Sequence, residues 1–146
     1  MIFVTVGTTR FEPLIREIDD LAGSVLTEPV VCQIGSGDYE PRHCEFFRYR
    51  PTLDDLIERT DLLITHGGST VITAVEMRTP LIAVANTSLA DNHQEHFLRE
   101  FSAYSSLVWT NEPTEIGALI KTYDREPVNF NAPSLVPDML DYLKSG

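Results

Sequence analysis

Residues 61–70 read DLLITHGGST. An apolar, strand-length run breaks without a linker into two glycines and two hydroxyl side chains. The segment that follows, about Thr70–Met77, has helical spacing and stops before Thr79-Pro80. The same order recurs on both sides of it. Ile2–Val6 stops at Gly7-Thr8-Thr9, and a helix follows with Phe11, Leu14, Ile15, Ile18, Leu21 and Ala22 on one face. Pro13 falls in its first turn, where a missing N–H costs little. Val30–Ile34 closes at Gly35-Ser36-Gly37, and Phe46–Tyr49, Leu81–Ala85 and Leu107–Thr110 read as further strands. Thr52 opens a helix with Asp55 as a weak capping box and Leu53, Leu56 and Ile57 facing inward. Asp91 begins another, whose apolar face carries Phe97, Leu98, Phe101 and Tyr104. Helices around Glu115–Tyr123 and Leu135–Leu143 complete the pattern. Strands alternating with helices predict an α/β fold, a doubly wound parallel sheet spanning residues 1–146 as a single domain.

Charge narrows the function. Of 146 residues, 22 are acidic and 11 basic, a formal net charge of −11. Such a chain is not expected to bind nucleic acid or to seek anionic lipid by itself. Lys121 and Lys144 are the only lysines, so no lysine patch can hold a phosphate. Cys32 and Cys44 fit no disulfide framework and no metal-ligand spacing, and read as ordinary thiols in a reducing compartment. No apolar run reaches the ~20 residues of a membrane span, and Ile2–Val6 is too short for a signal-peptide core. The expectation is a cytoplasmic protein with no direct membrane insertion, brought to the inner face of a membrane, if at all, by a partner.

In open parallel sheets, ligands bind beyond the carboxyl ends of the strands. Gly7–Thr9, His66–Thr70 and Asn86–Gln94 are small or polar loops at such ends. They are either tight strand-to-helix turns or anion sites in which unpaired first-turn N–H groups replace lysine. The usual nucleotide signatures are missing: there is no GxxxxGK[ST], and Gly35-Ser36-Gly37 is followed by Glu40 rather than a third glycine, so it reads as a turn. Asp91-Asn92-His93-Gln94 reads either as a helix cap, with Gln94 reaching back, or as a row of donors and acceptors for sugar hydroxyls. His93 and His96 lie three apart, but no third metal ligand is evident. His43 reads as a loop histidine without a role. Ser69 is not in a GxSxG elbow, which argues against hydrolase chemistry.

The order MIFVTVGTT, QIG, DLLITHGGST, PLIAVAN, DNHQ resembles the glycosyltransferase family 28 C-terminal domain from Met1 to about Tyr104. It is most similar to the short, stand-alone members that act as subunits of two-component dolichol-pathway and bacterial exopolysaccharide transferases. The resemblance implies a Rossmann-like, donor-binding half of a GT-B enzyme that uses a UDP-sugar as substrate, with no cofactor and no metal. It implies that Gly7, Thr8, Thr9, Gly67, Gly68, Ser69 and Thr70 flank the donor diphosphate. By the same resemblance, Arg50 and Leu53 lie beside the uracil, Thr73 lies near the ribose, and Asp91, Asn92 and Gln94 contact the sugar. Many members have a longer turn, HxGxGT, and an acid where this chain has Thr73; the exopolysaccharide-type members resemble this chain better. The acceptor site and main catalytic base are expected from a membrane-associated, acceptor-binding partner subunit, with His93 as the local candidate base. The expected function is the catalytic, donor-binding subunit of a heteromeric transferase that moves a hexose or N-acetylhexosamine to a lipid-linked glycan. The alternative is a non-catalytic nucleotide-sugar-binding partner or regulatory module. The apolar residues of the last two helices, Ile116, Leu119, Leu140 and Leu143, are core positions or part of a docking surface for the partner.

Overall fold

A computed structural model of the chain describes residues 1–86 and 93–130. Six strands form one sheet: β1 (Ile2–Thr5), β2 (Val30–Gln33), β3 (Glu45–Phe47), β4 (Leu62–Thr65), β5 (Leu81–Val84) and β6 (Val108–Thr110). Their order is β3-β2-β1-β4-β5-β6, and every pairing is parallel. The helices are α1 (Glu12–Ala22), α2 (Asp54–Arg59), α3 (Ser69–Glu76), α4 (His93–Ala103) and α5 (Ile116–Thr122). This is the Rossmann-like, doubly wound architecture expected of the alternating pattern.

The three central strands are buried on both faces, which is why they read as unbroken apolar runs instead of alternating ones. Successive side chains still go to opposite sides. Ile2, Val4, Leu62, Ile64, Ile82 and Val84 pack with α1 and α5. Phe3, Leu63, Leu81 and Ala83 pack with α2, α3 and α4, where Phe101 and Leu98 are fully buried. Each such aliphatic or aromatic side chain contributes about 1.5–3 kcal/mol by leaving water.

The sequence reading needs adjustment at several points. The third strand ends at Phe47 and not at Tyr49, because beyond it the Arg48 carbonyl accepts a hydrogen bond from the Gln33 side chain at 3.2 Å. No capping box with Asp55 forms at α2. Its cap position is Leu53, and the Thr52 hydroxyl accepts the Asp54 N–H at 3.2 Å instead. Tyr104 lies just past α4 and is exposed, so it does not belong to the apolar face. Pro113 starts a short 3-10 turn, Pro113–Glu115, and the α-helix begins only at Ile116. The start proposed at Asp91 and the helix proposed at Leu135–Leu143 lie outside the described residues.

His43 has a contact after all. Asp19, 1% exposed on α1, accepts the backbone N–H groups of Arg42 (3.0 Å) and His43 (2.7 Å) and the Tyr39 hydroxyl. The His43 ring lies 3.3 Å from the same carboxylate. One buried acid therefore ties the long β2–β3 connection to α1. Among the described residues no helix is long and apolar enough to cross a membrane.

Candidate functional site

The chain runs β1, β2, β3 outward to one edge and then returns to lay β4 against the other side of β1. The connections after β1 and β4 therefore leave the sheet in opposite directions, opening a crevice at the carboxyl ends of two adjacent strands. Gly7–Thr9 follows β1, and His66–Gly68 follows β4. The two glycine-containing loops, 60 residues apart in sequence, are neighbours because Thr5 and Thr65 are register partners. The Thr65 hydroxyl donates to the Thr5 carbonyl at 3.0 Å, and the Gly7 N–H donates to the Thr5 hydroxyl at 3.1 Å.

Gly68 caps α3 with φ +92° and ψ −150°, a backbone conformation open essentially to glycine alone. A side chain there would meet nothing within 4 Å, so the residue faces open space. Gly67 is buried, with Gln94 and Leu98 of α4 at its back. No side chain caps α3, and no acidic residue occupies its first turn. By contrast, α1, α2 and α4 carry Glu12, Asp54 with Asp55, and Glu95 in theirs. Of these four helices, α3 alone offers an N-terminus whose partial positive charge no carboxylate offsets. Ser69 is exposed and Thr70 partly so.

The first glycine loop is braced from the side. Ser36 N–H donates to the Thr9 carbonyl at 3.0 Å, and the Arg48 guanidinium bonds the carbonyls of Gly35 (3.0 Å) and Gly37 (2.7 Å). Gly35–Gly37 is thus the turn the sequence suggested. Its place is behind the loop, holding it. Thr8 and Thr9 are exposed, and the Thr9 hydroxyl donates to the Val6 carbonyl at 2.8 Å.

Of the other candidate residues, Arg50 is exposed in the β3–α2 loop on the same sheet edge, its guanidinium 5.2 Å from the Phe47 ring centre. Leu53 is partly buried against the core beneath α2. The Thr73 hydroxyl donates to the Ser69 carbonyl at 3.2 Å and so turns back on its own helix. His93 is exposed as the first residue of α4. His96, one turn on, pairs with Glu100 at 3.4 Å, and among the described residues no three potential metal ligands converge. Asp91 and Asn92 lie outside the described residues.

Gln94 has a more particular place than a row of sugar contacts implied. Its Oε1 accepts the Asn86 N–H at 2.9 Å, and its Nε2 lies 2.7 Å from His66 Nδ1. One N–H and one lone pair of the amide remain for other contacts. His66 and Asn86 were not singled out as site residues from sequence. His66 sits beside the first glycine loop, its Nε2 3.6 Å from where a Cβ on Gly7 would be. Burial holds its pKa below the ordinary 6.5. Asn86 is 2% exposed, and its Nδ2 donates to the Arg10 carbonyl at 3.0 Å. A polar residue buried at a strand end was the available signal for it.

Comparison with known proteins identifies the family and the fold. The model of the glycosyltransferase family 28 C-terminal domain matches residues 1–126. The UDP-N-acetylglucosamine transferase subunit ALG13 of Homo sapiens is 33% identical over 110 residues, 64% of this chain and 9% of that protein. The chain thus spans about a tenth of the length of that relative. An NMR solution structure of ALG13 superposes with TM-score 0.57 at 19% identity, over 99% of this chain and 95% of that one. The crystal structure of the kitacinnamycin glycotransferase gives TM-score 0.61 at 16% identity, covering 99% of this chain but 38% of its own. At these identities the structures speak to the fold.

Proposed function

The chain belongs to the glycosyltransferase family 28 C-terminal domain family, and from that premise we propose that it is the donor-binding subunit of a heteromeric transferase that takes a UDP-sugar. The observation that carries this reading is the crevice between β1 and β4, where two glycine turns and an uncapped, acid-free helix start face the same space. A diphosphate held there meets backbone N–H groups and the positive end of α3, which suits a chain with two lysines. As the bond between sugar and diphosphate breaks, the same donors stabilise the charge that develops on the leaving UDP. The arrangement needs no metal and no cofactor. Gly7, Thr8, Thr9, Gly67, Gly68, Ser69 and Thr70 are assigned to the diphosphate, and Arg50, Leu53 and Thr73 to the uridine side. Asp91, Asn92 and Gln94 are assigned to the sugar.

Inverting transfer also needs a base within hydrogen-bond reach of the acceptor hydroxyl. His93 is the local candidate. The acceptor-binding surface and the main base are assigned to a membrane-associated partner subunit, and the acceptor to a lipid-linked glycan. A second reading, a module that binds the nucleotide-sugar without turning it over, draws support from Thr73, whose hydroxyl is already engaged with Ser69.

Calorimetric titration of the chain, together with its acceptor-binding partner, with UDP and UDP-N-acetylglucosamine tests the reading. Wild-type protein is expected to bind, and Gly68→Val to weaken binding by about tenfold or more through loss of the backbone approach. Thr70→Ala should have a smaller effect, roughly threefold, for one hydroxyl contact. Absence of uridine nucleotide binding by the wild type would overturn the proposal. Sugar transfer by the same complex separates the two readings: the catalytic one predicts that Gly68→Val abolishes turnover, the modular one that transfer is unchanged.

A further inference from the structure

We propose that Gln94 is a positioning residue which, seated on the Asn86 backbone N–H, fixes His66 as a neutral ring with its single proton on Nε2, at the rim of the β1–β4 crevice. The functional meaning rests on the nucleotide-sugar reading above; the geometry does not.

The argument follows donors and acceptors. A backbone N–H can only donate, so the atom 2.9 Å from Asn86 N must be the Gln94 carbonyl oxygen. That choice leaves the Gln94 NH₂ pointing at His66 Nδ1, 2.7 Å away. An amide NH₂ can only donate, so Nδ1 must accept and carries no proton. The one proton of the neutral ring is then on Nε2, which lies beside Gly7. Two strand ends meet in this chain of bonds, His66 after β4 and Asn86 after β5. Asn86 is itself held to the first loop through the Arg10 carbonyl.

Protonating Nδ1 would set an N–H against the Gln94 NH₂, so this arrangement opposes the imidazolium in addition to burial. The charged groups on the neighbouring elements are engaged elsewhere. Arg10 pairs with Glu12, Glu95 bonds Arg99 and Asn111, and exposed His93 is at the start of α4. Burial and the Gln94 amide are the influences on the His66 ring. The result is a directed, uncharged donor next to the first glycine turn, with its Nε2–H available to a phosphate oxygen.

The test is nitrogen-15 NMR of histidine-labelled protein without nucleotide, with Gln94→Glu and Gln94→Met as variants. Wild-type His66 should show one protonated nitrogen, Nε2, and titrate below the ordinary 6.5. In Gln94→Glu the carboxylate still accepts from Asn86 but can only accept from Nδ1, so the doubly protonated ring becomes favoured. Its midpoint should rise by roughly one unit or more relative to wild type. Gln94→Met, of similar size and no polarity, should give a mixture of both neutral tautomers. A wild-type ring protonated on Nδ1, or a Gln94→Glu midpoint equal to the wild-type one, overturns the proposal. Titration with UDP supplies the functional arm. Wild-type affinity should be flat between pH 7 and 8, whereas Gln94→Glu should bind about fivefold more tightly at pH 6 than at pH 8, as the added negative charge is offset by the ring. Equal, pH-independent binding by both proteins counts against the positioning role. Failure of the wild type to bind UDP overturns the functional reading and leaves the NMR result standing.

Discussion

Gly35→Ala is expected to destabilise the fold by roughly 3–5 kcal/mol, among the largest effects available to a single methyl group. Two costs add. Gly35 has φ +58°, where an alanine Cβ crowds its own carbonyl at a cost of about 1–2 kcal/mol. The larger cost is steric. The new Cβ would lie 2.0 Å from the Thr9 carbonyl oxygen and 2.8 Å from that of Gly7. Both are backbone atoms of the first glycine loop, so no side chain can rotate out of the way. The turn or the loop must move, and with it the Ser36 N–H bond to Thr9 and the Arg48 bonds to Gly35 and Gly37. Urea denaturation of wild type and variant gives the number. Gly37→Ala is the control, because the φ of Gly37 is ordinary. Its nearest neighbours, Glu12 Cγ at 3.3 Å and the Ile34 carbonyl oxygen at 3.4 Å, need to give by only a few tenths of an ångström, so about 1 kcal/mol or less is expected. If Gly35→Ala were as mild as Gly37→Ala, the packing of the β2 turn against the glycine loop would be wrong. Because that packing shapes the crevice, any Gly35→Ala protein that still folds should also have lost most of its affinity for a uridine nucleotide.

The contrast between Gly35 and Gly68 shows what a sequence can disclose. Gly68 was legible as a candidate site residue because its neighbours carry the signal: a buried strand before it, hydroxyls and a helix after it. Gly35 was legible only as part of a turn, since what makes glycine necessary there is a carbonyl 26 positions away. The strands were readable for a physical reason. A parallel sheet covered on both faces demands unbroken apolar runs, and Leu62–Ile64 and Leu81–Val84 have no other use. Their pairing order was not written in any one run, yet it is the return of β4 to β1 that creates the crevice. The contact of Gln94 with His66 and Asn86 was out of reach for the same cause. These residues are separated by 28 and 8 positions, and only the adjacency of two strand ends brings them together. His66 stood inside the quoted motif but was passed over, because a histidine before glycines has no chemistry until its neighbours are known. Asp19 was hidden by its helix. In the Ile18-Asp19-Asp20 segment it reads as part of a solvated face, and its partners come from a loop more than twenty residues later.

Replacing that aspartate should produce the second large loss. Asp19→Ala removes an acceptor from the Arg42 and His43 backbone N–H groups and from the Tyr39 hydroxyl, leaving three partly buried donors unmet, and about 3–5 kcal/mol should be lost. Asp19→Asn keeps the shape but turns an NH₂ toward one of these donors, because both carboxylate oxygens are accepting; roughly 2–3 kcal/mol is expected. Tyr39→Phe, which deletes one donor and no acceptor, should cost only about 1 kcal/mol. The wild-type pH profile carries the same information. Burial alone would raise the pKa of Asp19, but the bonds from Tyr39, Arg42 and His43 outweigh it and hold the carboxyl below its ordinary 3.8. A group depressed on folding stabilises the native state above its unfolded pKa, and that contribution disappears as pH falls through the lower, folded value. Denaturation midpoints should therefore drop steeply for wild type between neutral pH and the range below 3.8, and less steeply for Asp19→Asn. Glu28, held low by Arg125, adds an acid-sensitive part of its own, but it is common to both proteins and cancels in their difference. Parallel pH profiles for the two proteins would mean that the carboxylate is not ionised in the folded core. The connection between β2 and β3 would then be held to α1 by something other than this charge.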